Sequence, residues 1–315
     1  MADRSPIAIV GAGSIGTGFA LVFAGKGHAV RLYDIAPERL ATAVANLHQR
    51  LGDLAEFDLL DAPPEAIAAR VTTTSSLEAA LADAVLVIEC APENLATKLA
   101  VFTSLDRLAP AEAVLASASS AIPISATAGN LAGRHRCLVA HPGNPPYLLP
   151  VIELVPAPFT APATVAAATA LFAAAGMRPV RLEKEIDGFV FNRLQGAVLR
   201  EAYRLVQDGI ASVDAIDTVM RAGLGRRWAV IGPFETADLN VEGGIEAHAA
   251  RMGAAYARMA EQQGEAGTWD ADLIAEVTAQ RRALLPLEQW HEATVRRDRA
   301  LMALERCRRA SPELE

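Results

Sequence analysis

Residues 7–16 read Ile7-Ala8-Ile9-Val10-Gly11-Ala12-Gly13-Ser14-Ile15-Gly16, four apolar residues followed directly by the pattern G-x-G-x-x-G. An apolar stretch of helical character continues to Ala24. A strand, a glycine-rich turn and a helix in this order indicate a dinucleotide-binding unit. Gly11 permits the tight turn, Gly13 lets the backbone approach a pyrophosphate, and Gly16 allows close helix–strand packing.

The residues around this turn favour NAD as the dinucleotide. The N-terminus of the predicted helix would face the negative pyrophosphate. Asp34 ends the second predicted strand, where a carboxylate accepts hydrogen bonds from ribose hydroxyls and repels the 2′-phosphate of NADP. The alternative is a structural turn followed by an unrelated aspartate, but strand, glycines, helix and acid in order favour a cofactor site. The predicted NAD-binding residues here are Gly11, Gly13, Ser14, Ile15, Gly16 and Asp34.

Short apolar runs alternate with alanine-rich helical stretches over residues 1–187. The first four runs are almost wholly apolar, as expected for strands that helices cover on both faces. The alternation predicts an α/β fold with a Rossmann-type doubly wound sheet in this N-terminal domain. A helix is expected over residues 41–60. The predicted strands are 7–10, 29–33, 84–88, 113–116, 136–140 and 151–155.

The pattern changes after Gly188. Apolar residues recur at helical spacing over residues 189–207, and no clear strand follows. We therefore expect an all-helical C-terminal domain over residues 188–315. Its last stretch, residues 287–309, is amphipathic and fits a solvated surface helix as well as a helix that binds a partner.

Composition excludes several classes of protein. Hydrophobic residues make up 52% of the chain and charged residues 21%, as in a globular protein. The net charge of −8 argues against binding to nucleic acid, and no apolar run reaches the roughly 18 residues of a membrane span. Cys90, Cys137 and Cys307 lie far apart, without disulfide or metal-site spacing, so we expect a reduced, cytoplasmic setting and no metal.

His141 and Glu153 form the candidate acid–base pair. His141 follows a predicted strand, and open α/β sheets bind ligands outside the carboxyl ends of their strands. A histidine can accept a hydroxyl proton as hydride leaves the adjacent carbon. Glu153 lies in the next apolar strand, where a carboxylate needs a partner. Taken singly, His141 fits a loop histidine and Glu153 an edge-strand acid.

Further motifs accompany this pair along the chain. They are Pro92-Glu93-Asn94 with Lys98, Ser117-Ala118-Ser119-Ser120, His141-Pro142 with Asn144-Pro145-Pro146-Tyr147, Glu153-Leu154-Val155-Pro156, Gly188-Phe189-Val190-Phe191-Asn192-Arg193, and Gly223-Leu224-Gly225-x-Arg227. With the G-x-G-x-x-G start, they resemble the L-3-hydroxyacyl-CoA dehydrogenase superfamily over essentially the whole chain. Within it, the sequence is most similar to the group of lambda-crystallin and L-gulonate 3-dehydrogenase.

The resemblance implies an NAD-dependent dehydrogenase that binds its substrate in a cleft between the two domains. It also implies a homodimer formed through the helical domain. By the same resemblance, His141 is the general base of oxidation and Glu153 holds its tautomer. Ser120 and Asn192 are implied to hydrogen-bond the reacting oxygen, although each alone fits a cap or loop residue.

Other residues receive roles from the resemblance alone. Glu93 and Lys98 are implied to lie near the nicotinamide ribose; the alternative is an exposed pair at a helix start. Ser119 is a rival to Ser120, because Ala118 and Ala121 depart from the polar residues usual in this loop of the family. The implied substrate contacts are Ser120, Asn144, Asn192 and Arg227.

Arg226 and Arg227 depart from the family enzymes that act on CoA, which generally carry small or aromatic residues there. An arginine in a substrate pocket binds a carboxylate through two hydrogen bonds. We therefore expect Arg227 to hold the carboxylate of a free, short L-3-hydroxy acid such as L-gulonate; the alternative is a surface arginine packed on Trp228. Other possible activities are 3-hydroxyacyl-CoA dehydrogenase, carnitine dehydrogenase and diketoreductase, and a structural, crystallin-like protein is the alternative from another class.

Overall fold

The computed structural model describes residues 5–263 and 270–311 and forms two compact units. The first contains the described residues through Arg193 together with Asp298–Arg306, and the second contains the described residues between Leu194 and Arg297 and between Cys307 and Ser311. The long C-terminal helix therefore contributes its middle part to the first unit. Among the described helices, none combines the length and apolarity needed to cross a membrane.

The first unit is built on one eight-stranded sheet in the order β3-β2-β1-β4-β5-β6-β7-β8. Neighbouring strands are parallel except for the antiparallel pair β6–β7. This arrangement confirms the predicted α/β fold. The strands are β1 Ile7–Val10, β2 Val30–Tyr33, β3 Val71–Thr74, β4 Leu86–Glu89, β5 Val114–Ser117, β6 Cys137–Pro142, β7 Val151–Pro156 and β8 Arg178–Arg181.

Helices connect these strands and cover the sheet. Their bounds are α1 Ser14–Gly25, α2 Pro37–Glu56, α3 Pro64–Ala68, α4 Leu77–Leu81, α5 Leu95–Leu108, α6 Ile124–Ala128 and α7 Pro162–Ala174. β1, β4 and β5 are buried along their whole length, which explains why their sequences are apolar except for Glu89 and Ser117 at the ends of β4 and β5. The helix expected over residues 41–60 begins earlier, because Pro37 suits a first helical turn.

Two strands, β3 and β8, were absent from the predicted set. Both lie at the edges of the sheet and are only partly buried. Their sequences, Val-Thr-Thr-Thr and Arg-Pro-Val-Arg, therefore lack the apolar run that marked the central strands. The predicted end of β6 at Ala140 was also wrong, because the antiparallel ladder with β7 extends through Pro142.

The described residues of the second unit form helices and no strand, which confirms the predicted helical C-terminal domain. Its helices are α8 Phe191–Gln207 (whose first turn belongs to the first unit), α9 Val213–Val219, α10 Gly225–Trp228, α11 Pro233–Leu239, α12 Gly244–Gln263, α13 Ala271–Leu284 and α14 Trp290–Arg309. A small core forms around Val206, Val213 and Leu273. An apolar cavity of about 480 Å³ lies between α8 and α9.

Candidate active site

The chain order of the strands reverses at β1, which lies between β2 and β4. In a doubly wound sheet, a ligand binds at this switch point, outside the carboxyl ends of the strands. The loops that follow β1 and β4 meet there: a Cβ on Gly11, which has φ +116°, would lie 2.6 Å from the carbonyl oxygen of Cys90. Position 11 therefore requires glycine, both because of its backbone conformation and because the second loop approaches it closely.

The glycine-rich turn has the shape that a dinucleotide requires. A Cβ on Gly16 would overlap the carbonyl oxygen of Gly11, so only glycine lets α1 start this close to β1. Nothing lies within 4 Å of the position of a Cβ on Gly13. Gly13 therefore leaves open space above the N-terminus of α1, where Ser14 and Ile15 form the first turn. The turn fits the pyrophosphate of NAD, which binds such helix ends through backbone amides.

Asp34 follows β2 and holds the turn in place. Its buried carboxylate accepts hydrogen bonds from the amide of Ala12, at 2.9 Å, and from the amide of Ala36, at 3.0 Å. The first bond fixes the glycine-rich loop against the end of β2. A carboxylate at this position also disfavours a 2′-phosphate, which agrees with NAD as the cofactor.

His141 and Glu153 lie directly opposite each other on β6 and β7. His141 Nδ1 is 2.8 Å from Glu153 Oε2, and both side chains are buried. Glu153 Oε1 accepts hydrogen bonds from the amides of Val190 and Phe191, at 2.8 and 2.9 Å. Since a single carboxylate fixes the histidine and the backbone leading into α8, the candidate pair is firmly oriented.

The surroundings of Glu153 favour its ionised form. Burial raises its pKa, but the hydrogen bonds from His141, Phe191 and Val190 outweigh burial and lower it, and the charge of His141 adds to this effect when the imidazole is protonated. With Nδ1 donating to this carboxylate, the neutral imidazole presents Nε2 as a proton acceptor. The ring is confined by Phe189 and Phe191, whose centroids lie 5.4 and 6.2 Å away. The site can therefore accept a proton at one defined atom.

The structure distinguishes the two serines that follow β5. The Ser119 hydroxyl is buried and donates to Glu93 Oε1 at 2.5 Å. Ser120 is exposed, and its carbonyl oxygen accepts a 3.0 Å hydrogen bond from Asn192 Nδ2. Ser120 and Asn192 are thus brought together, while Ser119 is held by Glu93.

Lys98 differs from the exposed helix-start residue that was one alternative. Its side chain is 1% exposed, and its Nζ lies 2.9 Å from Glu89 Oε1 and 3.5 Å from Glu93 Oε2. Glu89 is the last residue of β4 and was not among the predicted site residues. The signal for it was a glutamate at the end of the apolar run Leu86-Val87-Ile88, because a carboxylate buried in such a run needs a partner.

The remaining predicted substrate residues are exposed. Asn144 lies in the loop after β6, in the first unit. Arg227 lies on α10 of the second unit. Within residues 5–263 and 270–311, no three histidine, cysteine, aspartate or glutamate side chains are grouped as metal ligands would be.

Comparison with known proteins places this geometry in context. Residues 6–186 match the model of the 3-hydroxyacyl-CoA dehydrogenase NAD-binding domain, and residues 188–277 match the C-terminal domain of the same family. The chain is 39% identical to a lambda-crystallin homolog from Bos taurus over 98% of this chain and 97% of that protein. It is 41% identical to L-carnitine dehydrogenase of Streptomyces griseus over 77% of this chain and 72% of that protein.

A solved structure matches nearly the whole fold. The crystal structure of 5-formyl-3-hydroxy-2-methylpyridine 4-carboxylic acid 5-dehydrogenase, an NAD⁺-dependent dismutase, superposes with a TM-score of 0.83. The two sequences are 30% identical, and the match covers 96% of this chain and 98% of the other. The similarity therefore extends through both units.

Proposed function

Because this chain belongs to the 3-hydroxyacyl-CoA dehydrogenase family and is an NAD-dependent dehydrogenase, we propose that its substrate is a short, free L-3-hydroxy acid resembling L-gulonate. The reaction is oxidation of the 3-hydroxyl to the 3-keto acid. The buried His141–Glu153 pair, which presents one imidazole nitrogen as a proton acceptor, supports the oxidation, and the exposed Arg227 on α10 supports a free acid as the substrate.

His141 Nε2 takes the hydroxyl proton of the substrate, while Glu153 holds Nδ1 and stabilises the imidazolium that forms. When bound, NAD accepts the hydride that leaves the carbon bearing the hydroxyl. Ser120 and Asn192, which are joined by a 3.0 Å hydrogen bond, orient the reacting oxygen. In the direction of reduction, His141 returns the proton.

Arg227 is our candidate for recognition of the substrate carboxylate. Its exposed guanidinium on α10 can form two parallel hydrogen bonds to a carboxylate. We expect Arg227→Met to raise KM for the free acid by about tenfold or more, since a hydrogen bond to a charged group contributes roughly 1.5–3 kcal/mol. Arg226→Met, on the same exposed turn, is the matched control. An unchanged KM after Arg227→Met would remove Arg227 from this role.

The function is tested by following NADH absorbance with purified protein, NAD and a panel of substrates. The panel contains L-gulonate, free 3-hydroxybutyrate, 3-hydroxybutyryl-CoA and carnitine. We expect a free acid to exceed the thioester by at least about tenfold in kcat/KM, or about 1.4 kcal/mol. Preference for the thioester would assign the chain to acyl-CoA metabolism, and preference for carnitine would agree with the carnitine dehydrogenases it resembles.

NADH binding without turnover of any panel member would instead favour a structural, crystallin-like role. Retention of the paired His141 and Glu153 supports an enzyme, because a purely structural protein does not need a proton acceptor in this position.

We also propose a homodimer formed through the helical unit, where the cavity of about 480 Å³ is lined almost wholly by apolar side chains. Light scattering at micromolar concentration should give twice the mass of one chain. A cytoplasmic setting stays a prediction.

A further inference from the structure

A buried ion pair lies beneath the switch point and takes part in no step of the proposed reaction. Glu89, at the end of β4, is 0% exposed, and Lys98, in the first turn of α5, is 1% exposed. Lys98 Nζ lies 2.9 and 3.0 Å from the two carboxylate oxygens of Glu89. Two charges removed from water in this way are tolerated only when they are paired and hydrogen-bonded.

The other contacts of this pair lead to the loops around the site. Glu89 accepts hydrogen bonds from the amide of Ala91 and from the hydroxyl of Ser117, both at 2.7 Å. Ser117 is the last residue of β5, so Glu89 joins the ends of two neighbouring strands. Lys98 also faces Glu93, with Nζ 3.5 Å from Oε2.

Glu93 links Lys98 to the loop that contains Ser120. Its Oε1 accepts hydrogen bonds from the Ser119 hydroxyl at 2.5 Å, the Ser120 amide at 3.1 Å and the Ala121 amide at 3.0 Å. Burial raises the pKa of Glu93, but the bond from Ser119 and the charge of Lys98 outweigh burial and lower it. Glu93 is therefore an ionised bridge between the loops after β4 and β5.

We propose that Glu89 is a positioning residue that, acting through Lys98 and Glu93, holds these two loops in the conformation that binds NAD. The ammonium group of Lys98 is a compact positive charge, and without Glu89 it would be attracted by Glu93 alone. Glu89 binds it with both carboxylate oxygens and keeps it 3.5 Å from Glu93. Glu93 thus keeps its bonds to the loop while its outer face stays exposed.

The inference rests on the binding of NAD at the switch point and not on the identity of the substrate. Its test is the double variant Glu89→Gln/Lys98→Met, which removes both charges together and keeps an amide that can bond Ala91 and Ser117. We expect the dissociation constant for NADH, measured by fluorescence titration, to rise about tenfold, or about 1.4 kcal/mol. Circular dichroism should remain that of the folded protein.

A second buried pair provides the matched control. Arg136 and Asp106 form a 3.1 Å ion pair in the same unit, with exposed fractions of 7% and 13%, and contact none of the candidate site residues. Asp106→Asn/Arg136→Met removes the same two charges. We expect its dissociation constant for NADH to stay within about twofold of the wild type, or about 0.4 kcal/mol.

A double-mutant cycle with Glu93→Gln separates positioning from general support of the fold. If Glu89 acts through Glu93, the pair variant should weaken NADH binding by less than about twofold once Glu93 has been replaced. Additive effects, or a wild-type dissociation constant in the pair variant, would overturn the inference. Should the pair variant not fold, Glu89→Gln alone tests the same point, with a wild-type dissociation constant again overturning it.

NADH binding needs no second substrate, so the outcome is independent of the substrate panel. If no panel member is turned over but the cycle shows coupling through Glu93, the proposed function fails and the positioning role stands. If a free acid is turned over while the dissociation constant for NADH does not change on replacement of Glu89, the positioning role fails and the proposed function stands.

Discussion

The behaviour of His141 is set by Glu153, its partner at 2.8 Å. A histidine alone would exchange tautomers and sample several ring orientations. Here the carboxylate accepts a hydrogen bond from Nδ1–H, and the rings of Phe189 and Phe191 confine the imidazole. The orientation of the imidazole at this position is thus a property of the pair.

We expect His141→Ala to lower kcat by roughly 10²–10⁴-fold, the usual contribution of a positioned acid–base group. NADH affinity should change little, because the dinucleotide-binding turn belongs to α1 and β1. Steady-state kinetics and fluorescence titration on the same preparation measure both quantities. Activity within about tenfold of the wild type would show that another group moves the proton.

Glu153 also makes stability depend on pH. Its pKa is lower in the folded protein than the ordinary value of 4.5, so its contribution is complete above that value and is lost as pH falls through the folded pKa. We expect Glu153→Gln to flatten the acid side of the stability curve. Urea unfolding of both proteins at several pH values from about 6 to about 3 measures this. If the stabilities of the two proteins changed with pH in parallel, the expected lowering of the Glu153 pKa in the folded protein would be contradicted.

At the scale of elements, the β1–α1 connection contains two glycines, Gly13 and Gly16, that are needed for different reasons. Gly16 is needed for packing, because any side chain would overlap Gly11. Gly13 meets nothing within 4 Å, and its φ of −75° is accessible to any residue. The fold itself would therefore accept a side chain at Gly13, and we expect the requirement for glycine there to come from the approach of the pyrophosphate.

Gly13→Ala is accordingly expected to fold normally and to bind NADH about tenfold or more weakly, a loss of about 1.4 kcal/mol or more. Gly25→Ala is the matched control, since Gly25 lies at the other end of α1 and a Cβ there also meets nothing within 4 Å. It should leave NADH affinity unchanged and raise stability slightly. Equal affinities for the two variants would mean that the cofactor does not approach Gly13.

For the whole molecule, the C-terminal helix α14 matters beyond the helical unit. Asp298–Arg306 belongs to the first compact unit, where Met302 is 1% exposed in the apolar core. Arg299 pairs with Glu56 at 2.7 Å and lies 4.9 Å from the centroid of the Phe57 ring. This segment of α14 thus packs into the core of the first unit.

We expect Met302→Ala to destabilise the first unit by about 2–5 kcal/mol, as usual for a buried methionine. Leu304→Ala, at a position 53% exposed on the same helix, should change stability by less than about 0.5 kcal/mol. Urea unfolding, with NADH fluorescence reporting on the first unit, compares the two. A negligible effect of Met302→Ala would show that the segment is dispensable for this unit.

The sequence by itself determined the fold class, the cofactor and the candidate chemical pair. Glycine spacing encodes the dinucleotide turn, because its backbone geometry admits few other residues. Unbroken apolar runs encode buried central strands, and a carboxylate inside such a run indicates that it has a partner. These features are local, so they can be recognised without coordinates.

Only the tertiary structure decided what lies beside what. The Glu89–Lys98–Glu93 network and the Asn192–Ser120 bond join strands, helices and loops that periodicity cannot pair. The edge strands β3 and β8 form because neighbouring strands complete their hydrogen bonds, while their partly exposed faces leave little apolar signal. The return of α14 to the first unit likewise depends on packing between residues at opposite ends of the chain.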